Sequence, residues 1–283
     1  MNNNIIISAD CICDLPESLV EEYSIRMLPF YIEMKDVRFQ DYTEVDFSSM
    51  YDYLKQDDVK VSSVPAAIED YRNHFMELTK NEDEAIIHIC VSRKISEAYN
   101  HAVVAAQDME HVFVVDSGSI SHGIGLLVLK AVEMARTHSE PNVIVDELHK
   151  AKKRISCSCV LKTTQYIANN KRVNQTISNL LDIFHIKPII KLKNGAMKVR
   201  GVCLGTREYY VKKYIRQIFR NRKAICEDVL FITVLSDSEE LRELVYREAT
   251  EKIEWKHVYM QDVSATNLCN VGLGSVGLMF YTK

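Results

Sequence analysis

A chain of 283 residues, 47% apolar and 26% charged, has the make-up of a soluble globular protein with room for one large domain or two ordinary ones. Nine Gly and five Pro exclude collagen-like and low-complexity chains, and no apolar run approaches the roughly 20 residues a membrane helix needs. The formal charge of −4 hides a split: Lys150 to Lys223 holds 19 Lys or Arg against Asp182 and Glu208, an excess of +17, so the remainder carries −21.

The opening residues carry no cationic segment and no long apolar stretch, so we expect a cytoplasmic protein without a disulfide framework. Ile5–Ser8 reads as a buried strand, Asp10–Asp14 as a polar turn, and Pro16 as the entry to a helix near Ser18–Tyr23. Met27–Met34 reads as a second strand. Asp46 caps a helix through Leu54, ended by Asp57-Asp58. Val61–Ala66 reads as a loop, Ala67–Thr79 as an amphipathic helix and Ala85–Val91 as a strand. Helices over Ser96–Met109, Ile124–Arg136 and Asn142–Arg154 follow, with a strand at Val112–Val115 between the first two. This alternation predicts an α/β fold: a parallel sheet between helix layers, spanning residues 1–155.

Beyond residue 155 the texture changes. Strands are expected at Ser156–Val160 and Phe184–Leu192, and Asn194-Gly195 is a strong hairpin signal between Lys187–Lys193 and Ala196–Cys203. A basic helix over Glu208–Arg222, a strand at Val229–Leu235, a helix over Ser238–Lys252 and a strand at Lys256–Gln261 complete a second, α+β domain over 156–283.

In parallel sheets ligands bind outside the carboxyl ends of the strands. The loops there are rich in serine: Ser62-Ser63, Ser92 to Ser96, and Ser117 with Ser119. Hydroxyls and helix-start N–H groups together favour a small anionic group held by neutral donors, although each serine alone is an ordinary helix cap. A nucleophilic serine would need a base, an orienting acid and a Gly-x-Ser-x-Gly elbow, and that elbow is absent, so no catalytic residue is assigned. Gly272-x-Gly274-x-x-Gly277 lacks the following helix of a dinucleotide site and reads as a tight turn. The pairs Cys11/Cys13 and Cys157/Cys159 lack zinc-ribbon spacing and read as small buried residues; neither a metal nor a cofactor is expected. The basic segment offers a rival reading as a nucleic-acid or anionic-protein binder, though it carries no zinc-finger or RRM pattern.

The order of these segments resembles the DegV family of bacterial fatty-acid-binding proteins. Ser8-Ala9-Asp10-Cys11-Ile12-Cys13-Asp14-Leu15-Pro16 is similar to its opening "TDSTSDLP", and Ser62-Ser63-Val64-Pro65 stands at "TSQP". Ser92 to Asn100 stands at "SSxLSGTYQ", Asp116-Ser117 with Gly123-x-Gly125 at "DS…G.G", and Asn170-Lys171-Arg172-Val173 at "GGRI". Ile186-Lys187-Pro188-Ile189-Ile190 matches "IKPIL", and the glycine-rich end matches "HxGPGALG". The resemblance implies a non-catalytic carrier. A long-chain fatty acid would lie between apolar elements of the first domain, with helix Ile124–Ala135 offering a lining. Its carboxylate would be held by Ser62 and Ser96, with Ser63, Ser92, Ser117, Arg172 and Asn270 nearby. In some members the acid is presented to a fatty acid kinase. Departures fall at the head-group positions: Glu97-Ala98 replaces Gly-Thr, and Asn270 and Leu235 stand where His is usual.

Overall fold

A computed structural model of the chain describes residues 4–56, 59–79, 84–137, 140–166 and 185–283. Arg172 and the rest of Asn170–Val173, together with Asp57, Asp58 and Phe184, lie outside them.

The apolar run near the start becomes β1 (Asn4–Asp10), which pairs in parallel with β2 (Arg26–Leu28) and β6 (Glu84–Cys90). β7 (Val112–Asp116) adds to β6, giving the parallel order β2-β1-β6-β7. Strands covered on both faces carry continuous apolar runs rather than alternation, and Ile86, Ile87 and Ile89 are all fully buried. The helices of this half are α1 (Glu17–Glu22), α2 (Phe47–Leu54), α3 (Ile68–Leu78), α4 (Ala98–Ala105), α5 (His122–Arg136) and α6 (Pro141–Ala151). Asp46 caps α2 as expected, its Oδ1 accepting from the Ser49 N–H at 2.8 Å.

A six-stranded sheet occupies residues 155–282: β8 (Ile155–Val160), β9 (Lys187–Lys193), β10 (Ala196–Cys203), β11 (Ile225–Val234), β12 (His257–Met260) and β13 (Val276–Thr282), in the order β10-β9-β8-β13-β11-β12. Only β11 and β12 run parallel. Helices α7 (Arg207–Ile218) and α8 (Glu239–Thr250) pack on it. The predicted hairpin is present, with Asn194 at φ 53° and Gly195 at φ 80°, the two left-handed residues that a tight β9–β10 turn demands.

Three features differ from the sequence expectation. Met27–Met34 is not one strand: β2 ends at Leu28 and β3 (Tyr31–Met34) belongs to another sheet. Pro29, which has no N–H to give a ladder, separates them. Val61–Ala66 is not a loop but contains β5 (Val61–Val64), which joins β3 and β4 (Val37–Gln40) in a small antiparallel sheet ordered β4-β3-β5. A short helix, α9 (Ala265–Val271), precedes the terminal glycines, capped by the Ser264 hydroxyl, which accepts from the Asn267 N–H at 3.2 Å. Gly272 and Gly274, at φ 84° and 76°, then turn the chain into β13.

Helix α5 joins the two large sheets. It packs on β1 and β6 on one side and on β8 and β13 on the other. Phe231 of β11 and Met279 of β13 are consequently buried in the same core as Ile86 and Leu127. A second core lies under α7 and α8, and a third joins the small sheet and α2 to α9. Among the described residues no helix is long and apolar enough to cross a membrane.

Candidate ligand-binding site

A cavity of about 590 Å³, counting its open mouth, lies between the six-stranded sheet, α9 and the loop after β7. Strand alternation builds its floor. Cys157 and Cys159 lie two apart on β8, and Ile190 and Leu192 two apart on β9, so each pair presents one face. Met197 of β10, Val276 and Met279 of β13 and Val271 of α9 extend the apolar wall. Leu235, where the resembling family carries His, also lines the cavity and is 2% exposed. All the cysteines are free thiols, and burial pushes those of Cys157 and Cys159 up to about 12, so both behave as apolar groups.

The location departs from the expectation of a slot inside the first domain. Among the described residues that half contributes only Ile120 and Ser121 to the lining. Ile124, Leu126, Leu127 and Val128 of α5, the helix expected to offer a lining, are buried in the first core and do not line this cavity.

Three of the polar lining residues, Ser121, Thr233 and Asn267, belong to one linked network. Asp14 accepts from the Ser121 hydroxyl, from the Asn267 amide at 2.7 Å and from the Ser264 N–H at 2.8 Å. These donors favour the carboxylate, but burial outweighs them and lifts its pKa to about 7. Ser121 sits at φ 56°, ψ −144°, a conformation costly for any residue but Gly. Its neighbour His122 stacks on Phe231 with centroids 4.8 Å apart, and its Nδ1 lies 3.1 Å from the Thr233 hydroxyl. Burial lowers the His122 pKa to about 3, so the ring is neutral. Ser121 and Asn267 are not foreseen in the sequence, Asp14 enters it only as the end of the polar turn after the first strand, and His122 only as one of several histidines near the serine loops. Asp14 belongs to the opening motif, and that was the one available signal.

The serines predicted to hold a head group are placed unevenly. Ser62 and Ser63 alternate on β5, opposite Glu33 and Ile32 of β3. The Ser62 hydroxyl donates to Glu33 at 3.4 Å, whereas that of Ser63 accepts from the Asn270 amide at 2.8 Å. Ser63 and Asn270 are therefore together and Ser62 faces the other way. Asn270 lies on α9 beside Val271, and its buried Oδ1 has no hydrogen-bond partner among the described residues. Ser96 accepts from the Ala98 N–H at 3.3 Å at the start of α4. His101, one turn on, meets the Ala66 carbonyl oxygen at 2.8 Å, which sets α4 against the chain leaving β5. Ser92 is fully buried and donates to the Gly195 carbonyl at 2.7 Å, clamping the hairpin whose Leu192 and Met197 line the cavity. Ser117 is turned onto its own loop, accepting from the Ser119 N–H at 3.0 Å. Glu97 is exposed and accepts from the Asn100 amide at 2.8 Å.

Two packed sheets are joined through one helix in an α/β protein, and its apolar cavity is bordered by hydroxyls, an amide and the buried Asp14 carboxyl. The sequence profile described as "Uncharacterised protein, DegV family" matches residues 4–283, and the chain belongs to that family. Relatives include a DegV domain-containing protein of Caldanaerobacter subterraneus subsp. tengcongensis, 28% identical over 69% of this chain and 70% of that one. Another, from Staphylococcus aureus, is 25% identical over 98% of this chain and 99% of its own. Solved structures share the fold. A DegV family protein from Thermus thermophilus, described by its fatty acid binding, superposes with a TM-score of 0.84 at 21% identity, covering 99% of this chain and 100% of that one. DegV of Bacillus subtilis, described as a fatty acid binding protein, gives 0.83 at 19% identity, covering 99% of each.

Proposed function

We propose that this chain is a non-catalytic carrier of a long-chain fatty acid, working in the cytoplasm. The acyl tail lies in the cavity at the sheet junction and the carboxyl group lies at the serine loops beside α9. The cavity itself carries the reading. Its walls are almost wholly apolar, the setting in which an alkyl chain rather than a polar solute is favoured. Each methylene buried there contributes about 0.8 kcal/mol, so the tail supplies most of the affinity. The head group then needs only to avoid being left unsatisfied.

Ser63 and Ser96 suit that task. Each accepts a hydrogen bond from the chain and has its own O–H to give, while Asn270 Oδ1 can accept from a protonated acid. Ser62 is the weaker candidate because its hydroxyl is directed at Glu33. Delivery of the acid to a fatty acid kinase is the more demanding part of the reading. Asn270 and Leu235 leave no imidazole at those two positions, so binding should survive better than delivery.

Solvent extraction of protein purified from bacteria, followed by mass spectrometry, should return fatty acid, and delipidated protein should take up oleate. Neither extracted acid nor uptake would end the carrier reading. Ser63→Ala should weaken oleate binding by about 1 kcal/mol, the scale of one hydrogen bond, while Ser62→Ala changes it little. The reverse order would move the head group to the other face of β5. The basic segment does not favour a nucleic-acid reading, since part of its charge is met internally. Lys212 pairs with Glu208 and Glu248, and Lys152 reaches Asp116.

A further inference from the structure

A second group of side chains, unused by lipid binding, lies beneath α3 at the carboxyl ends of β1 and β6. Asp10, His88 and Cys90 are fully buried, and one ligand atom from each lies within 4.8 Å of the other two. Parallel pairing assembles them. Ser8 stands opposite His88 and Ala9 opposite Ile89, so alternation sends Ser8, Asp10, His88 and Cys90 to one face of the sheet. Asp10 Oδ1 and His88 Nε2 are 3.3 Å apart, the separation expected of two ligands each about 2.0 Å from one tetrahedral ion.

The surrounding hydrogen bonds orient these groups as a metal requires. His88 Nδ1 lies 2.8 Å from the Ser8 hydroxyl, which lies 2.7 Å from His74 Nε2. With the Nδ1 proton given to Ser8 and the Ser8 proton given to His74, the lone pair of His88 Nε2 faces Asp10. Such fixing of a ligand histidine through its other nitrogen is characteristic of metal sites. Asp10 is held in the same way: Tyr71 donates its hydroxyl to Oδ1 at 2.7 Å and the Val91 N–H donates to Oδ2 at 2.8 Å. One carboxylate and one thiolate would exactly balance a divalent charge, so the occupied site is neutral in an interior that tolerates little net charge.

We propose that Asp10, His88 and Cys90 bind one divalent ion of the zinc class, which ties the ends of β1 and β6 together. The set of one oxygen, one nitrogen and one sulfur suits zinc or cobalt and disfavours magnesium or calcium. Because all three side chains are sealed from solvent, the ion enters as the chain folds, and the Cys90 thiol proton leaves to solvent on ligation.

The full chain, unfolded with a chelator and refolded with cobalt(II), should take up one equivalent. It should show visible cobalt(II) d–d bands together with a thiolate charge-transfer band, both lost when zinc displaces cobalt. Cys90→Ser should abolish the charge-transfer band and Cys226→Ser should leave it intact. Ser8→Ala should keep the band but loosen zinc by about 10–100-fold, the usual cost of losing a ligand's supporting hydrogen bond. Zinc X-ray absorption of the wild-type protein needs no variant to fold, and it should show a single sulfur among nitrogen and oxygen neighbours. No uptake, a charge-transfer band that persists in Cys90→Ser, or a sulfur-rich or sulfur-free zinc environment would overturn the assignment.

Discussion

Asp14 shows how two local forces compete at one residue. It takes hydrogen bonds from Ser121, Asn267 and Ser264, each of which favours the charged form, yet burial still raises its pKa to about 7. A carboxyl with a raised folded-state pKa contributes stability that is complete below its unfolded value, near 3.8, and lost as pH rises through about 7. His122 and His74 act in the opposite sense. Burial lowers both to about 3, so their contribution is complete above 6.5 and is lost as pH falls towards 3. Across the shared window the slopes oppose, and the shift at Asp14 alone is worth on the order of 4 kcal/mol. Asp14→Asn removes one side of the balance, and Asn tolerates the φ of 54° found there. Denaturant midpoints measured from pH 6.5 down to pH 4 should therefore fall more steeply in the variant than in the wild type. Equal slopes would mean that Asp14 titrates near its unfolded value.

At the scale of elements, the β9–β10 hairpin shows what local sequence specifies and what it leaves open. Asn194-Gly195 announces the turn because only residues tolerant of positive φ fit it. Nothing local says where its tip docks. The tip is clamped by Ser92, 103 positions earlier in the chain, and a Cβ on Gly195 would come within 2.6 Å of the Ser92 hydroxyl oxygen. Gly195→Ala should cost about 1–3 kcal/mol through strain at φ 80° and this contact. Ser92→Ala in the same chain should recover part of that loss, so the double mutant is less destabilised than the sum of the singles. Additive losses would show that the clamp does not bear on the turn. The same division explains the remaining differences. Asp46 was legible as a cap, and the strand read at Ala85–Val91 is found at Glu84–Cys90, since both signals are local. Pro29 is a local signal for the break within Met27–Met34, but which sheet each half joins depends on what lies beside it. Ser62-Ser63 was legible as a polar pair, but which hydroxyl faces Asn270 depends on the pairing of β5 with β3. The cavity was not legible, because its walls run from Ile120 to Met279 and no window of the sequence contains it.

For the molecule as a whole, the uneven charge matters less than the shared core. Several basic residues of the 150–223 segment meet acids from other elements, as Arg216 meets Glu248, and exposed pairs of this kind are worth at most about 1 kcal/mol each. The apolar contact between the halves is more consequential. Phe231 and Met279 of the second sheet are buried in the core built around the first, with Phe231 stacked on His122 from the start of α5. Unfolding either half alone would expose that surface, and loss of the first half would also strip Ile120 and Ser121 from the cavity wall, so the chain should melt in one step. Trp255, the single tryptophan, reports on the far side of the second sheet, where it packs against Phe219 and Phe280. Its fluorescence and the far-ultraviolet circular dichroism of the whole chain should therefore give coincident transitions. Oleate at about 100 times its dissociation constant should stabilise the folded chain by about 2.7 kcal/mol and move both signals together, because the proposed tail cavity lies in the second half while the proposed head-group serines Ser63 and Ser96 lie in the first. A tryptophan transition that separates from the other, or that oleate fails to move, would show the halves to be independent and the cavity to belong to one of them.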